Sequence, residues 1–377
     1  MLRKKIAALS VIVLVIALAA CFGGTAPEPT PEPTPYREIA ERELDYAYEK
    51  FSPNTVVMEV NGQEIFWSEY FYWLMESKYN YESYFGPITD YSEMYDETMT
   101  IADVLADIAE DNLKSHIGLE TGVREAEVEL SEEDEATLNG IWESQVSYAG
   151  SEEELLVLMD SFFLSREYFT KLNEISLLYE VAFDHIYGVD GANLSDEDAM
   201  AYADANGYMQ AQHILLKTIG DDQMPLYAAT IAEKATLAQD LLVRLNNAED
   251  KDAEFKAVRM EFDEDLGQSY YPDGYCFLSG RMVPEFETAV QSLENGGISA
   301  VVETLYGYHI IMRLPVTPDS IVSIDTYTGA PSTIRYNAAF EKYSAQVQSW
   351  IESAVVEYVG EFKELDLAQV FAKPSEE

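Results

Sequence analysis

Few residues in this chain are of the kinds that do covalent chemistry. There are two cysteines, Cys21 and Cys276, and four histidines, His116, His185, His213 and His309. No P-loop, HExxH, CxxC or GxSxG pattern is present, so a phosphate cradle, a zincin centre, a dithiol and a nucleophile elbow all lack their residues. His116 and His185 have no motif around them and read as ordinary residues. His213 and His309 each sit in a β-prone run, Gln212-His213-Ile214-Leu215-Leu216 and Tyr308-His309-Ile310-Ile311. Two imidazoles with a carboxylate such as Asp265 could hold a hydrogen-bond network with Thr304, or could ligate a metal. Met282 and Phe286, four residues apart, could line one helix face, either as ordinary core or as the floor of an apolar slot.

Four separated runs tie these residues together: Ala211-Gln212-His213-Ile214-Leu215-Leu216-Lys217, Gly280-Arg281-Met282-Val283-Pro284-Glu285-Phe286-Glu287, Leu293-Glu294-Asn295-Gly296-Gly297-Ile298-Ser299, and Val302-Glu303-Thr304-Leu305-Tyr306-Gly307-Tyr308-His309-Ile310-Ile311. In this order and spacing they resemble the parvulin family of peptidyl-prolyl cis/trans isomerases. The surrounding chain resembles the extracellular foldase lipoproteins of Gram-positive bacteria, of the PrsA/SurA-like kind. The resemblance implies a catalytic set of His213, Asp265, Thr304 and His309. It implies an apolar substrate wall of Met282, Phe286, Phe277 and Tyr306. It implies no cofactor and no metal, and partners that are unfolded or partly folded exported polypeptides presenting X-Pro segments. Two departures stand out. Gly274, in Asp273-Gly274-Tyr275-Cys276-Phe277, falls where an apolar pocket residue is usual. The loop Gly220-Asp221-Asp222-Gln223 is acidic where phosphate-selective members carry arginines, so selectivity for phospho-Ser/Thr-Pro is not expected.

The chemistry such a set must perform is a rotation. Turning an X-Pro bond out of its plane costs about 18–20 kcal/mol and breaks no covalent bond. A catalyst has only to favour the twisted amide over both planar forms. An apolar slot that grips the ring and a few fixed polar groups near the carbonyl suffice.

The elements that position these residues follow from pattern. Residues 36–205 read as mainly helical, with a hairpin around Asn61-Gly62 (Val56–Val60, Glu64–Phe66) and helix starts at Ser131/Asp134, Ser151/Glu154 and Ser195/Asp198. Residues 206–316 read as strand (Met209–Leu216), helix (Leu226–Leu245) and a terminal β pair through Gly307. After a linker beginning at residue 317, Tyr336–Phe362 reads as one long helix within a C-terminal segment reaching 377. The expected class is α+β: a helical N-terminal chaperone domain completed by a C-terminal helix, with an inserted parvulin domain of four antiparallel strands surrounded by helices. The aromatic-rich stretch Phe66–Phe85 reads chiefly as core, with a client-binding cradle as the alternative.

Hydrophobic residues make up 47% of the chain, enough for a real core, and the formal charge is -46. That charge disfavours nucleic acid and a polybasic grip on anionic lipid, and favours neutral or basic clients. Residues 1–20 read as an export signal, with Arg3, Lys4 and Lys5 ahead of an apolar run from Ile6 to Ala20. That run is shorter than the roughly 20 residues a spanning helix needs. Leu18-Ala19-Ala20-Cys21 resembles a lipobox, making Cys21 the lipidation site. Residues 21–35, with Pro27, Pro29, Pro31, Pro33 and Pro35, read as an extended tether. The expected location is the extracytoplasmic face of the cell membrane, with self-association into a homodimer left open. Three functions are compatible with the leader: an active isomerase with chaperone character, a non-catalytic holdase with a degenerate parvulin domain, and a solute-binding lipoprotein, which the motifs disfavour. Cys21→Ser should abolish acylation, and metabolic labelling with a fatty acid checks it. Undiminished label on the variant contradicts the lipobox reading.

Overall fold

A computed structural model describes residues 44–372 apart from 326. Residues 1–35, for which the sequence suggests an export signal, a lipidated Cys21 and a tether, lie outside the described residues. In chain order the elements are α1 (Asp45–Tyr48), β1 (Val56–Val60), β2 (Gln63–Phe66), α2 (Trp67–Phe85), α3 (Ile101–Glu125), α4 (Glu132–Ala149), α5 (Glu152–Ser161), α6 (Arg166–Tyr187) and α7 (Asp196–Asn206). There follow β3 (Met209–Lys217), α8 (Ala228–Asn246), α9 (Lys251–Phe262), β4 (Tyr275–Phe277), α10 (Pro284–Gln291), β5 (Val302–Thr304) and β6 (Gly307–Leu314). The chain closes with β7 (Ile321–Ile324), β8 (Pro331–Thr333), α11 (Ile334–Ser353), β9 (Val356–Tyr358) and α12 (Leu367–Val370). The class is α+β. Two compact units divide the chain. One holds the described residues up to Ile186 and those from Ser344 onward; the other is Tyr187–Tyr343.

In the first unit, Asn61 and Gly62 both take left-handed φ values, 53° and 76°, the geometry a two-residue hairpin turn requires. β1 is the centre of a three-stranded sheet, pairing with β2 on one side and β9 on the other. The reading of Tyr336–Phe362 as one helix is corrected here. α11 stops at Ser353, and Val356–Tyr358 pairs antiparallel with Met58–Val60. The unpaired edge of β1 is satisfied by a strand, and the β-branched Val355-Val356 suits that state. Each expected helix start is capped: Ser131, Ser151 and Ser195 accept from the amides of Asp134, Glu154 and Asp198.

The aromatic stretch splits in two. From Trp67 to Met75 α2 is buried nearly all round, and both indoles are satisfied: Trp67 Nε1–H donates to Tyr48 O (2.8 Å) and Trp73 Nε1–H to the Tyr168 hydroxyl (2.6 Å). The far end is exposed, with Tyr84 83% and Phe85 65% accessible.

α11 meets α3 at two glycines. A Cβ on Gly122 would lie 2.1 Å from the Trp350 ring, and one on Gly118 would lie 2.9 Å from the Ile351 Cα. Gly122→Ala should therefore lower the stability of this unit despite the better helix propensity of alanine, by roughly 1–3 kcal/mol of overpacking less up to about 1 kcal/mol. All four tryptophans (67, 73, 142 and 350) belong to this unit, so a urea titration followed by tryptophan fluorescence reads it selectively. Trp350→Leu in the same chain should recover part of the loss; an unchanged midpoint in Gly122→Ala would contradict the close contact.

Candidate active site

In the second unit the sheet order is β4-β3-β6-β5, antiparallel throughout. β3 is central and eight of its nine residues are buried, as a strand covered on both faces must be. Alternation sorts its side chains. Ile214 and Leu216, with Ile310 and Met312 of β6, pack against Ala238, Leu241 and Leu245 of α8 and Phe255 and Val258 of α9. Met209 and Ala211, with Ile311, pack against Phe286 and Val290 of α10. The register sets His213 opposite Ile311 and Leu215 opposite His309, so both imidazoles fall on the α10 face. Their ring centroids are 5.2 Å apart and near perpendicular, and the Phe286 ring stands 5.4 Å from His213 and 5.7 Å from His309.

Asp265 arrives from a different direction. Beyond Ala211 the β4 side of β3 has no strand partner, and the acidic run Asp263-Glu264-Asp265 takes its place. Asp263 Oδ1 accepts from Leu215 N–H (2.8 Å), Glu264 Oε2 accepts from Lys217 N–H (2.6 Å), and Glu264 N–H donates to Leu215 O (2.9 Å). This padding brings Asp265 Oδ2 to 3.3 Å from His213 Nε2, close but not an aligned hydrogen bond. Gly267 N–H donates to Asp265 Oδ1 (3.0 Å), and the Tyr275 hydroxyl donates to Oδ2 (2.6 Å). Burial alone would raise the Asp265 carboxyl, but these contacts with His213, Tyr275 and Gly267 outweigh it and hold the group below the usual carboxylate range.

At the other imidazole, Thr304 Oγ1 lies 2.9 Å from His309 Nε2 and accepts from Tyr306 N–H at 3.1 Å. His309 is 4% accessible, and its pKa is pushed down to about 3, first by burial and then by the neighbouring His213, with Asp265 opposing. His309 Nδ1 makes no hydrogen bond among the described residues.

Met282 and Phe286 do not share a helix face as their spacing suggests. α10 begins at Pro284, and the proline holds Val283 extended (φ −60°, ψ 143°), which leaves Met282 in the preceding turn. Both still border one cavity of about 540 Å³, together with His213, Leu215, Asp265, Tyr275, Arg281, Val283, Tyr306 and His309. That size suits a peptide segment or a small ligand. Thr304 and Phe277 lie behind its lining: Thr304 through its bond to His309, Phe277 with its ring 6.1 Å from Phe286. The loop residues Gly220, Asp221 and Gln223 also reach the rim. Tyr275 was not among the sequence candidates. Its alternation with Phe277 on β4, which puts both side chains on one face, was the signal available. Among the described residues no cluster of three or more His, Cys, Asp or Glu is arranged to hold a metal ion. Cys276 is buried with its thiol pushed up to about 12 by burial, and is not a nucleophile at neutral pH.

Residues 199–314 match the PPIC-type PPIASE domain. The chain carries a parvulin-type domain. It is 30% identical over 164 residues to the foldase protein PrsA of Oceanobacillus iheyensis, a match covering 43% of this chain and 46% of that protein. It is 28% identical over 147 residues to the chaperone SurA of Thiobacillus denitrificans, covering 39% of this chain and 31% of that protein. The match thus spans about half the length of the PrsA relative or less. Comparison with the crystal structure of PrsA from Bacillus subtilis covers 70% of this chain and 91% of the other, at 18% identity and a TM-score of 0.26.

The site should hold one imidazole neutral through mild acid. In imidazole NMR spectra assigned with His309→Gln, the His309 resonance should stay in its neutral position from pH 8 to 5. An unfolded histidine takes up its proton near pH 6.5, and the folded His309 only near 3, so the unfolded chain binds the extra proton between them. The stability contributed by neutral His309 is complete above about pH 6.5 and is lost as pH falls toward 3, by at most about 1.4 kcal/mol per pH unit. A His309 resonance that titrates near 6.5 would contradict this environment.

Proposed function

We propose that the protein is an extracytoplasmic peptidyl-prolyl cis/trans isomerase and chaperone for exported polypeptides. In this reading residues 1–20 are a lipoprotein signal peptide, Cys21 carries the lipid, and 21–35 are the tether. Residues 36–205 form the helical chaperone domain, 206–316 the isomerase domain, and 317–377 the linker and closing helix. The observation that carries the reading is the cavity in which an apolar wall, Met282 and Phe286, faces the paired imidazoles His213 and His309.

The chemistry follows from what a twisted amide loses. A planar X-Pro amide is stabilised by resonance that puts charge on oxygen and nitrogen, and twisting it removes that charge separation. A slot that excludes water from the ring therefore disfavours the planar forms more than the twisted one. Met282 and Phe286 hold the pyrrolidine ring, Phe277 supports Phe286, and Tyr306 closes the edge. Thr304 fixes the His309 ring by its bond to Nε2. Asp265, kept ionised, orients His213. No proton need be transferred and no bond broken, so pre-set polar groups are enough.

A chaperone role has its own support in the first unit. Tyr84, Phe85, Met94 and Tyr95 are exposed, and the rings of Tyr81, Phe85 and Tyr95 lie 4.8–6.3 Å apart in a cluster. Exposed aromatic clusters of this kind mark interaction surfaces. With a net charge of -46, the favoured clients are neutral or basic segments.

A protease-free isomerisation assay on a peptide with a neutral residue before proline tests the proposal. Phe286→Ala should lower kcat/KM at least tenfold, or about 1.4 kcal/mol. A circular-dichroism melt must accompany it, since a buried Phe→Ala change typically costs about 3–5 kcal/mol of stability. Asp265→Ala should also lower turnover, with less damage to packing. Wild-type rates in both variants would leave the holdase reading in its place.

A further inference from the structure

We infer that Tyr275 is a positioning residue of this site: its hydroxyl fixes the Asp265 carboxylate beside His213, and its ring supplies the wall that Gly274 cannot. The inference rests on the isomerase reading for the wall, but not for the hydrogen bond.

The case begins at Gly274. Its φ is +89°, and a Cβ there would sit 2.6 Å from Ala211 O and 3.1 Å from Gln212 N, inside the backbone of β3. No side chain fits at that position while β3 and β4 stay paired. The next residue occupies the cavity instead. Tyr275 pairs with Ala211 across the sheet and so points to the α10 face, where it borders the same cavity as Met282 and Phe286. Its ring lies nearly parallel to that of His213, 14° between planes and 5.7 Å between centroids, and packs on Tyr271 at 4.9 Å.

The hydroxyl end is equally specific. It donates to Asp265 Oδ2 at 2.6 Å, the same oxygen that lies 3.3 Å from His213 Nε2. A Cβ on Gly267 would fall 2.0 Å from this hydroxyl, so the turn after Asp265 leaves room for the phenol only because position 267 is glycine. Gly267 N–H holds the other carboxylate oxygen at 3.0 Å. The carboxylate is thus gripped on both oxygens, and one grip is a side chain that can be trimmed by a single atom. A hydrogen bond to the charged form keeps a carboxyl ionised, and its loss lets the group titrate nearer its ordinary value.

The test separates the two ends of the side chain. Tyr275→Phe removes the hydroxyl and keeps the ring; Tyr275→Ala removes both. The Asp265 carboxyl is followed by carbon NMR, its signal assigned by loss in Asp265→Asn, and isomerisation is followed across pH. In Tyr275→Phe the Asp265 midpoint should rise by at least about one pH unit. The acid limb of kcat/KM should move up with it while KM stays within about twofold. Tyr275→Ala should in addition raise KM at least about fivefold, with near-ultraviolet circular dichroism checking that the sheet is intact. An Asp265 midpoint that does not move in a folded Tyr275→Phe chain overturns the positioning role. An unchanged KM in a folded Tyr275→Ala chain overturns the wall. If the wild-type chain shows no isomerisation and Asp265 still shifts in Tyr275→Phe, the hydrogen-bond role stands and it is the isomerase reading that fails.

Discussion

The register between β3 and β6 is the constraint on which the site depends. With eight residues paired, His213 faces Ile311 and Leu215 faces His309, and the two imidazoles share one face. A slip of one residue would turn one of them into the opposite core, among Leu241, Phe255 and Val258. That outcome would bury an imidazole among apolar side chains and expose an isoleucine to the cavity. The two hydrophobic layers therefore do more than stabilise the sheet: the alternation that fills them also selects which polar groups meet.

Electrostatics completes what the register begins. Three consecutive acids, Asp263, Glu264 and Asp265, would repel one another in isolation. Here the first two have structural duties, capping the free amides of Leu215 and Lys217. Glu264 also pairs with Lys234 at 2.6 Å, and burial raises the Asp263 carboxyl above the ordinary range. Only Asp265 reaches the cavity, where donors on both oxygens keep it charged. Asymmetry between the two imidazoles follows. His213 has the carboxylate beside it; His309 has a hydroxyl, deeper burial and a strongly lowered affinity for protons.

Much of this was legible in the sequence. Signals that act over a few residues, such as the Asn61-Gly62 turn and the serine caps, are local physics and read directly. The α+β class and the strand pair around Gly307 follow from the order of strand-like and helical runs, and the pairing of His213 with His309 is what the parvulin resemblance implies. What escaped detection depended on partners distant in the chain. Val356–Tyr358 continues a helical pattern until β1 offers it an edge. Met282 and Phe286 have helical spacing, but Pro284 decides where the helix begins. Tyr275 stands in the Asp273–Phe277 run with no role of its own there, and its place beside Asp265 depends on Gly274 and Gly267 both lacking side chains. The aromatic stretch had two readings, and the fold divides it, with Trp67–Met75 buried and Tyr84 and Phe85 exposed.

The central claim is that the cavity beside Phe286 is where an X-Pro segment binds. Titration of the full chain with a proline peptide bearing a neutral residue before proline, followed through the Met282 methyl and the His309 ring by NMR, tests it most directly. Saturable shifts at both reporters that fit a single dissociation constant are the predicted result. Peptide binding that leaves Met282 and His309 unmoved, with its shifts confined to the exposed aromatic residues between Tyr79 and Tyr95, would contradict it.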